Sequence, residues 1–405
     1  MRHTAVVVSG IGVISPHGDD CPAMFAALMR GDSAVRKVFP ELAKPAAAAT
    51  VSFDETRWFT KLQLAGVDRV SQLAVAAADL AFKDSGAAGQ VAAQRIGVYV
   101  GCGMGGAAAL EAAYTAGNHG GRVPPLTIPA FMPNAPAAHV AMRNGVQGPV
   151  LTYAVACASA AVAITEAAKA IRNGEIDLAI AGGSEALIVP GVVAAWQAMQ
   201  TLASFAPGQA ATACKPFALD RSGFVLGEGA AFLVLEPDAQ ARARGARRYA
   251  ELAGWGLSCD ATHLTKPDSP GQQRALRAAL AQADLQPADV GYCNAHGTAT
   301  KVGDAIEATA LGEAWGSAID NLRVSSTKAL HGHLLGATGA LEAVVTVLAL
   351  QRGELPPNAN CETVDPACRL NLVRTPGEPM PGLQAAISNS FAFGGTNSVL
   401  LFKRA

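Results

Sequence analysis

The sequence predicts an α/β protein whose sheets carry helices on both faces, and three observations predict it. Short β-branched runs alternate with Ala- and Leu-rich segments at helical spacing along most of the chain. The strand-like runs are continuously apolar rather than alternating, as in strands buried on both sides. Half of the 405 residues are apolar and only 16% are charged, enough to fill two domain interiors and unlike a disordered chain.

The elements follow in order. Met1–Gly10 holds one Arg and a short apolar run ahead of Pro16, too brief for a secretory leader, and opens the first strand, Ala5–Ile14. Further strands are expected at Ile96–Val100, Val150–Val155, Leu178–Ala181, Ala230–Leu235, Val290–Asn294, Arg323–Ser325 and Ser398–Phe402. Helices are expected at Val67–Lys83, Ala158–Arg172, Gln272–Gln282, Asp304–Glu313 and Ala337–Gln351, where Ala and Leu recur at 3.6-residue spacing. The Arg-rich Asp238–Arg248 reads as a solvated helix.

A shift of about 179 residues lays Ala158–Glu175 over Ala337–Glu354, each an Ala-rich helix closing on Gly-Glu. HTAVVVSGIGVIS at the start likewise resembles RYAELAGWGLSCD from Arg248 onward. The pattern points to two copies of one α/β unit, 1–245 and 246–405, with a site between them. Ala-rich matches also arise by chance, so the pattern alone leaves the duplication open.

A net charge of −1 offers no basic surplus for a phosphate backbone, which argues against nucleic acid as partner. The eight cysteines are scattered without a CxxC, as expected of free thiols in a reducing compartment. Asn144–Thr165 and Ala186–Cys214 lack charge but are broken by Gly, Pro, Gln and Ser, so they read as buried core rather than membrane spans. A soluble cytoplasmic protein with no membrane partner is the expectation.

Three segments carry side chains suited to chemistry. Cys157 stands where a strand-like run meets an Ala-rich helix, so helix N–H groups and the positive dipole end would favour its thiolate. The same N–H groups would hold a developing oxyanion. A small buried core residue is the competing reading, and placement alone does not choose. His296, in NAHGTAT, follows an apolar strand where α/β sheets open their ligand crevice; a structural histidine is the alternative. SSTKALHGHLLGATGA packs Lys328, His331 and His333 into six residues before a helix whose Glu342 would pair with Lys328. A zinc set of Cys157, His296, His331 and His333 is a minor alternative, because no carboxylate motif accompanies it. The turns GCGMGG and SFAFGGTN lack both the Lys of a P-loop and dinucleotide spacing.

Taken together, the cysteine before its Ala-rich helix, DRSGFVLGEGAAFLVLE, NAHGTAT, SSTKALHGHLLGATGA and SNSFAFGGTN resemble the elongating β-ketoacyl–acyl-carrier-protein synthases. The resemblance runs from first strand to last. It implies a thiolase fold of duplicated halves in five layers, α-β-α-β-α, usually a homodimer and in some systems a heterodimer with a related subunit. It implies decarboxylative Claisen condensation of a Cys-bound acyl chain with a malonyl thioester, in fatty-acid, polyketide or polyene synthesis. Substrates would arrive on the phosphopantetheine of an acyl carrier protein, with no metal or redox cofactor.

Residue by residue, Cys157 matches the nucleophile, His296 and His333 the histidine pair, and Lys328, with Glu342 as counter-ion, the supporting lysine. The backbone N–H groups of Cys157 and Phe393 match the oxyanion hole, and Phe393 also the gate. Thr298 and Thr300 match the hydroxyls that receive the pantetheine arm, and Phe391 and Met104 match positions lining the substrate and acyl pocket. Departures from the family pattern are Ala158 in place of a small hydroxylic residue and His331, an extra imidazole expected near the site. The usual basic face for a carrier is thinned to Lys61, Arg69 and Arg122. Two alternatives stand beside this reading. One is a chain-length-setting partner subunit, which typically lacks the nucleophile. The other is a thiolase-like enzyme, which needs a second reactive cysteine; here Cys361 and Cys368 look incidental.

Overall fold

Nine consecutive buried residues make the first strand, β1 (Val6–Ile14), a central one. The computed structural model describes residues 4–42 and 44–405 and places this strand in the middle of an eleven-stranded mixed sheet. The amino-terminal half adds β2 (Ile96–Gly101), β3 (Val150–Tyr153), β4 (Leu178–Glu185) and β5 (Gly229–Pro237). The carboxy-terminal half supplies β6 (Ala250–Cys259), β7 (Tyr292–Asn294), β8 (Arg323–Ser325), the short β9 (Asn371–Leu372), β10 (Ala385–Phe391) and β11 (Thr396–Lys403).

The spatial order is β9-β8-β7-β10-β11-β6-β1-β5-β4-β2-β3. Outward from the centre, each half therefore runs through its first, fifth, fourth, second and third strands, with β9 added at one edge. The senses match too: β1–β5 and β5–β4 are antiparallel, as are β6–β11 and β11–β10. The β4–β2, β2–β3, β10–β7 and β7–β8 pairs are parallel. A shared strand order with shared senses is what a duplicated unit leaves behind.

Only Val7 opposite Glu251 and Val8 opposite Ala250 join the halves between β1 and β6. From that seam the halves fold over one another. Helices α3 (Ser159–Arg172) and α6 (Thr338–Arg352) lie between them, each touching strands of both. Residues Thr338–Leu350 of α6 are all buried, as in a helix apolar all round. On the outer faces, α1 (Arg69–Ser85) and α2 (Ala135–Asn144) cover one half, and α4 (Ser269–Ala283) and α5 (Lys301–Trp315) the other. The result is the five-layer α-β-α-β-α sandwich.

Expected elements shift at points with local causes. The third strand ends at Tyr153 rather than Val155, because Ala156 turns the chain with φ 49°. Helix α5 starts at Lys301, ahead of the expected Asp304, because Thr300 caps it by accepting the Gly303 N–H. The Asp238–Arg248 stretch is a short helix, Asp238–Ala243, followed by a turn in which Arg244 pairs with buried Glu236. Strand β10 was not expected at all: its Ser388, Asn389 and Ser390 are polar yet buried. Among the described residues no helix is long and apolar enough to cross a membrane.

Candidate active site

The two central helices begin in the same way. A single 3-10 turn, Ala156–Ala158 before α3 and Leu335–Ala337 before α6, leads into each, the second displaced by the 179 residues of the repeat. Ala156 and Leu335 hold matching left-handed φ values of 49° and 46°. Strain of this kind persists only where surroundings over-determine it, and functional sites concentrate it. At the first of these elbows stands Cys157.

His333 Nε2 lies 3.0 Å from Cys157 Sγ, and its Nδ1 lies 2.9 Å from the Thr338 hydroxyl. That hydroxyl donates or accepts, so the ring proton is accommodated on either nitrogen. The His296 ring stands nearly perpendicular to His333 with centroids 5.5 Å apart. One ligand-type atom from each of Cys157, His296 and His333 lies within 4.8 Å of the others. The structure thus brings together three side chains far apart in sequence. The four-residue zinc set is not assembled, because His331 directs Nδ1 to the Gly332 carbonyl and Nε2 to the Thr327 hydroxyl.

Lys328 stands behind the histidines, fully buried. Its Nζ donates to Glu342 Oε1 at 2.6 Å and to the His296 carbonyl at 2.5 Å. Glu307, not singled out from the sequence, takes the His296 and Gly297 N–H groups on its two oxygens at 2.8 and 2.7 Å. Asn389 of β10 donates to the same carboxylate. An acid on the buried face of an Ala-rich helix soon after the NAHGTAT turn was the only available signal. Thr338 and Trp196, whose ring packs edge-on to Phe224 and tilted to Phe393, gave none.

The electrostatics correct one expectation. Burial pushes the Cys157 thiol up to about 11, overriding the Lys328 charge and the Phe393 and Cys157 N–H groups that pull it down. The resting sulfur is therefore a thiol, not the thiolate expected from the helix start alone. Burial first, then the Lys328 charge, holds His296 and His333 well below the usual histidine value, so both are neutral. Burial raises the Glu342 carboxyl to about 7 against the pull of Lys328.

A cavity of about 410 Å³ opens onto this cluster. Cys157, His296, His333, Thr298, Thr300, Phe391 and Phe393 all line it. The Thr298 and Thr300 hydroxyls sit 3.1 Å apart. Phe393 rides on a turn whose Gly394 and Gly395 both take positive φ, 87° and 79°. Two expected residues fall outside. Met104 is 52% exposed and does not line the cavity, its turn being held instead by Glu185, which accepts the Gly103 and Met104 N–H groups. His331 is buried behind the wall. Of the three basic residues left for a carrier, Arg69 is taken: it pairs with Glu228 at 2.7 Å and donates to the Val51 carbonyl. Among the described residues Cys157 is the one cysteine lining the cavity.

The model of the β-ketoacyl synthase N-terminal domain matches residues 3–241, and that of the C-terminal domain residues 249–362. The chain belongs to the β-ketoacyl synthase family. This ketosynthase is 42% identical over 405 residues to nodulation protein E of Rhizobium meliloti, covering 98% of this chain and 99% of that one. It is 37% identical over 412 residues to 3-oxoacyl-[acyl-carrier-protein] synthase 2 of Staphylococcus aureus (strain COL), covering 100% and 99%. Among solved structures, the ishigamide ketosynthase/chain length factor superposes with a TM-score of 0.93 at 30% identity over the full length of both chains. The fold is thus the thiolase-like fold of ketosynthases, and the protein is an acyltransferase of that family. With the thiol and both imidazoles clustered at one cavity, the reading as a partner subunit without a nucleophile is not favoured.

Proposed function

We propose that this ketosynthase joins an acyl chain held on Cys157 to a malonyl thioester by decarboxylative Claisen condensation, both delivered by an acyl carrier protein. The observation that carries the reading is the 3.0 Å approach of His333 Nε2 to Cys157 Sγ beside a second neutral imidazole at one cavity.

In the first half-reaction Cys157 Sγ attacks the acyl thioester. Its proton passes to His333 Nε2 and on to the departing carrier thiolate, while the Cys157 and Phe393 N–H groups, which already face the sulfur, receive the developing oxyanion. In the second, the malonyl thioester loses carbon dioxide and leaves an enolate. His296 and His333, both neutral, donate N–H to its oxygen, each donor contributing roughly 3–4 kcal/mol. The enolate carbon then attacks the acyl-Cys157 carbonyl, and Sγ leaves. Lys328 and Glu342 hold the His296 segment and supply a fixed charge.

The carrier protein is inferred from the residue matches and from the acyl-carrier-protein specificity in the name of the Staphylococcus relative. The pantetheine arm is assigned to Thr298 and Thr300, and the organic cofactor need is met by the carrier alone. The functional unit is taken to be a dimer of this chain, its two halves dividing near residue 245, working in the cytoplasm, where its eight unpaired cysteines remain reduced.

Two variants test the assignment. Cys157→Ala is expected to show no acyl-enzyme by intact mass when offered acyl carrier thioesters, and a normal adduct there sinks the nucleophile. Cys157→Gln is expected to retain malonyl decarboxylation while losing condensation, and adding His333→Ala to it should remove that decarboxylation.

A further inference from the structure

His331 stands two residues before His333, fully buried, and outside the cavity wall. Its two nitrogens are both spent on backbone and side chain in one direction. The Gly332 carbonyl, which only accepts, lies 2.7 Å from Nδ1, so Nδ1 carries the ring proton. Nε2 is then the acceptor, and the Thr327 hydroxyl 2.9 Å away is its donor. Thr327 Oγ1 in turn receives Asn294 Nδ2 at 3.4 Å. Asn294 ends β7, two residues before His296; Gly332 immediately precedes His333. The chain Asn294–Thr327–His331–Gly332 therefore ties together the segments that carry the two active-site imidazoles.

The peptide at its end needs holding. Gly332 has φ 69° and ψ −175°, outside the helix that Lys328–His331 forms, and a Cβ there would meet the Leu226 carbonyl oxygen at 2.8 Å. His333 is clamped next to it, its N–H donating to the Val225 carbonyl and its own carbonyl accepting the Gly227 N–H. The Gly332 carbonyl is the link in this turn that only the His331 ring holds among the described contacts.

We propose that His331 is a positioning residue for His333: through the Gly332 carbonyl it fixes the orientation of the following imidazole against Cys157 and the reacting thioester. A neutral ring is what this role requires, since a proton on Nε2 would displace the Thr327 donor. Burial and the Lys328 charge, which lower the ring to about 3, keep it neutral. The inference rests on the condensing reaction proposed above only in its kinetic readout.

The test compares two variants with the intact chain. His331→Phe fills the space without hydrogen bonds; His331→Asn places an amide N–H near the position of Nδ1. In a Cys157→Gln background, His331→Phe is expected to lower kcat for malonyl-thioester decarboxylation by about tenfold with KM changed less than about twofold, and His331→Asn to stay within about threefold of its parent. In a Cys157-intact background, His331→Phe should also slow iodoacetamide alkylation of Cys157 by about threefold or more near pH 7.5, with His331→Asn again close to normal. Unchanged alkylation in His331→Phe, or an equal fall in both variants, overturns the proposal. Alkylation needs no acyl or malonyl substrate. A parent that fails to decarboxylate therefore sinks the condensing function alone, and the alkylation arm still decides the role of His331.

Discussion

At the scale of single residues, the site is organised by what burial does to charge. The two imidazoles stay neutral because they are buried beside Lys328, and they are useful because they are neutral, with an N–H to give and no charge to neutralise. Lys328 itself is tolerable only because Glu342 lies 2.6 Å from its Nζ, both side chains fully buried. Removing one partner of such a pair leaves an uncompensated charge in a low-dielectric interior. Glu342→Gln is therefore expected to destabilise the protein by about 3–5 kcal/mol in urea unfolding and to lower decarboxylation with it. A change below about 1 kcal/mol would mean that water or the His296 carbonyl suffices for the ammonium. The side chains Cys157, His296, Lys328 and His333 stood out in the sequence, but local pattern left Cys157 and His296 open, and it was the resemblance of the whole motif set to one family that gave the four their roles. Glu307 and Thr338 did not stand out, since their partners are backbone N–H groups and a ring nitrogen that only the fold brings near. The Cys157 acidity was misread because the helix start is a local feature, whereas the desolvation that outweighs it comes from distant chain.

At the scale of elements, glycines set how closely the nucleophile's helix sits on its strands. A Cβ on Gly101, the last residue of β2, would lie 2.1 Å from the Ala160 backbone nitrogen at the start of α3. One on Gly183 of β4 would lie 2.8 Å from the Ala160 Cβ. In the other half Gly339 stands against Ala161, a Cβ there meeting its Cβ at 3.0 Å, so α3 and α6 meet at their first turns, beside Cys157 and His333. Gly101→Ala must lift the helix start off the strand. The expected cost is about 1–3 kcal/mol of stability, from overpacking. Acyl-enzyme formation should slow by about tenfold or more, since a displacement near 1 Å spoils the approach of thiol and thioester. A time course of intact mass checks it, and unimpaired acylation would show that α3 shifts without carrying Cys157 off target. These Ala-rich helices were the most legible elements because both stay apolar over whole turns. Strand β10 was the least legible: Ser388, Asn389 and Ser390 are polar yet buried, Asn389 bonding Glu307, and polarity masked the strand.

At the scale of the molecule, one face is too apolar to be left to water. The sheet ends at β3, whose outer edge has no partner strand among the described residues, and whose Val150 and Leu151 are 38% and 44% exposed. Nearby, Tyr114, Leu126, Ile128, Met132 and Met142 are also exposed large hydrophobics, and the turn bearing Met104 packs at Gly105 and Gly106 against Phe131, tying it to the same surface. An open, apolar edge strand is a template for a further strand, and large contiguous apolar patches mark interfaces. A second copy of the chain placing its own β3 alongside would cover the edge by a two-fold contact in which each strand serves the other. Such a contact, spread over the same surface, would take in Met104, which stands open in the single chain. Leu151→Arg puts a charge at the centre of that contact. It is expected to weaken dimerisation by at least about a hundredfold, giving monomer at low micromolar concentration in sedimentation equilibrium while the fold persists by circular dichroism. If Leu151→Arg sediments as the same dimer as its parent, the copies meet on some other face, and the exposure of Met104 then needs a cause within the chain itself.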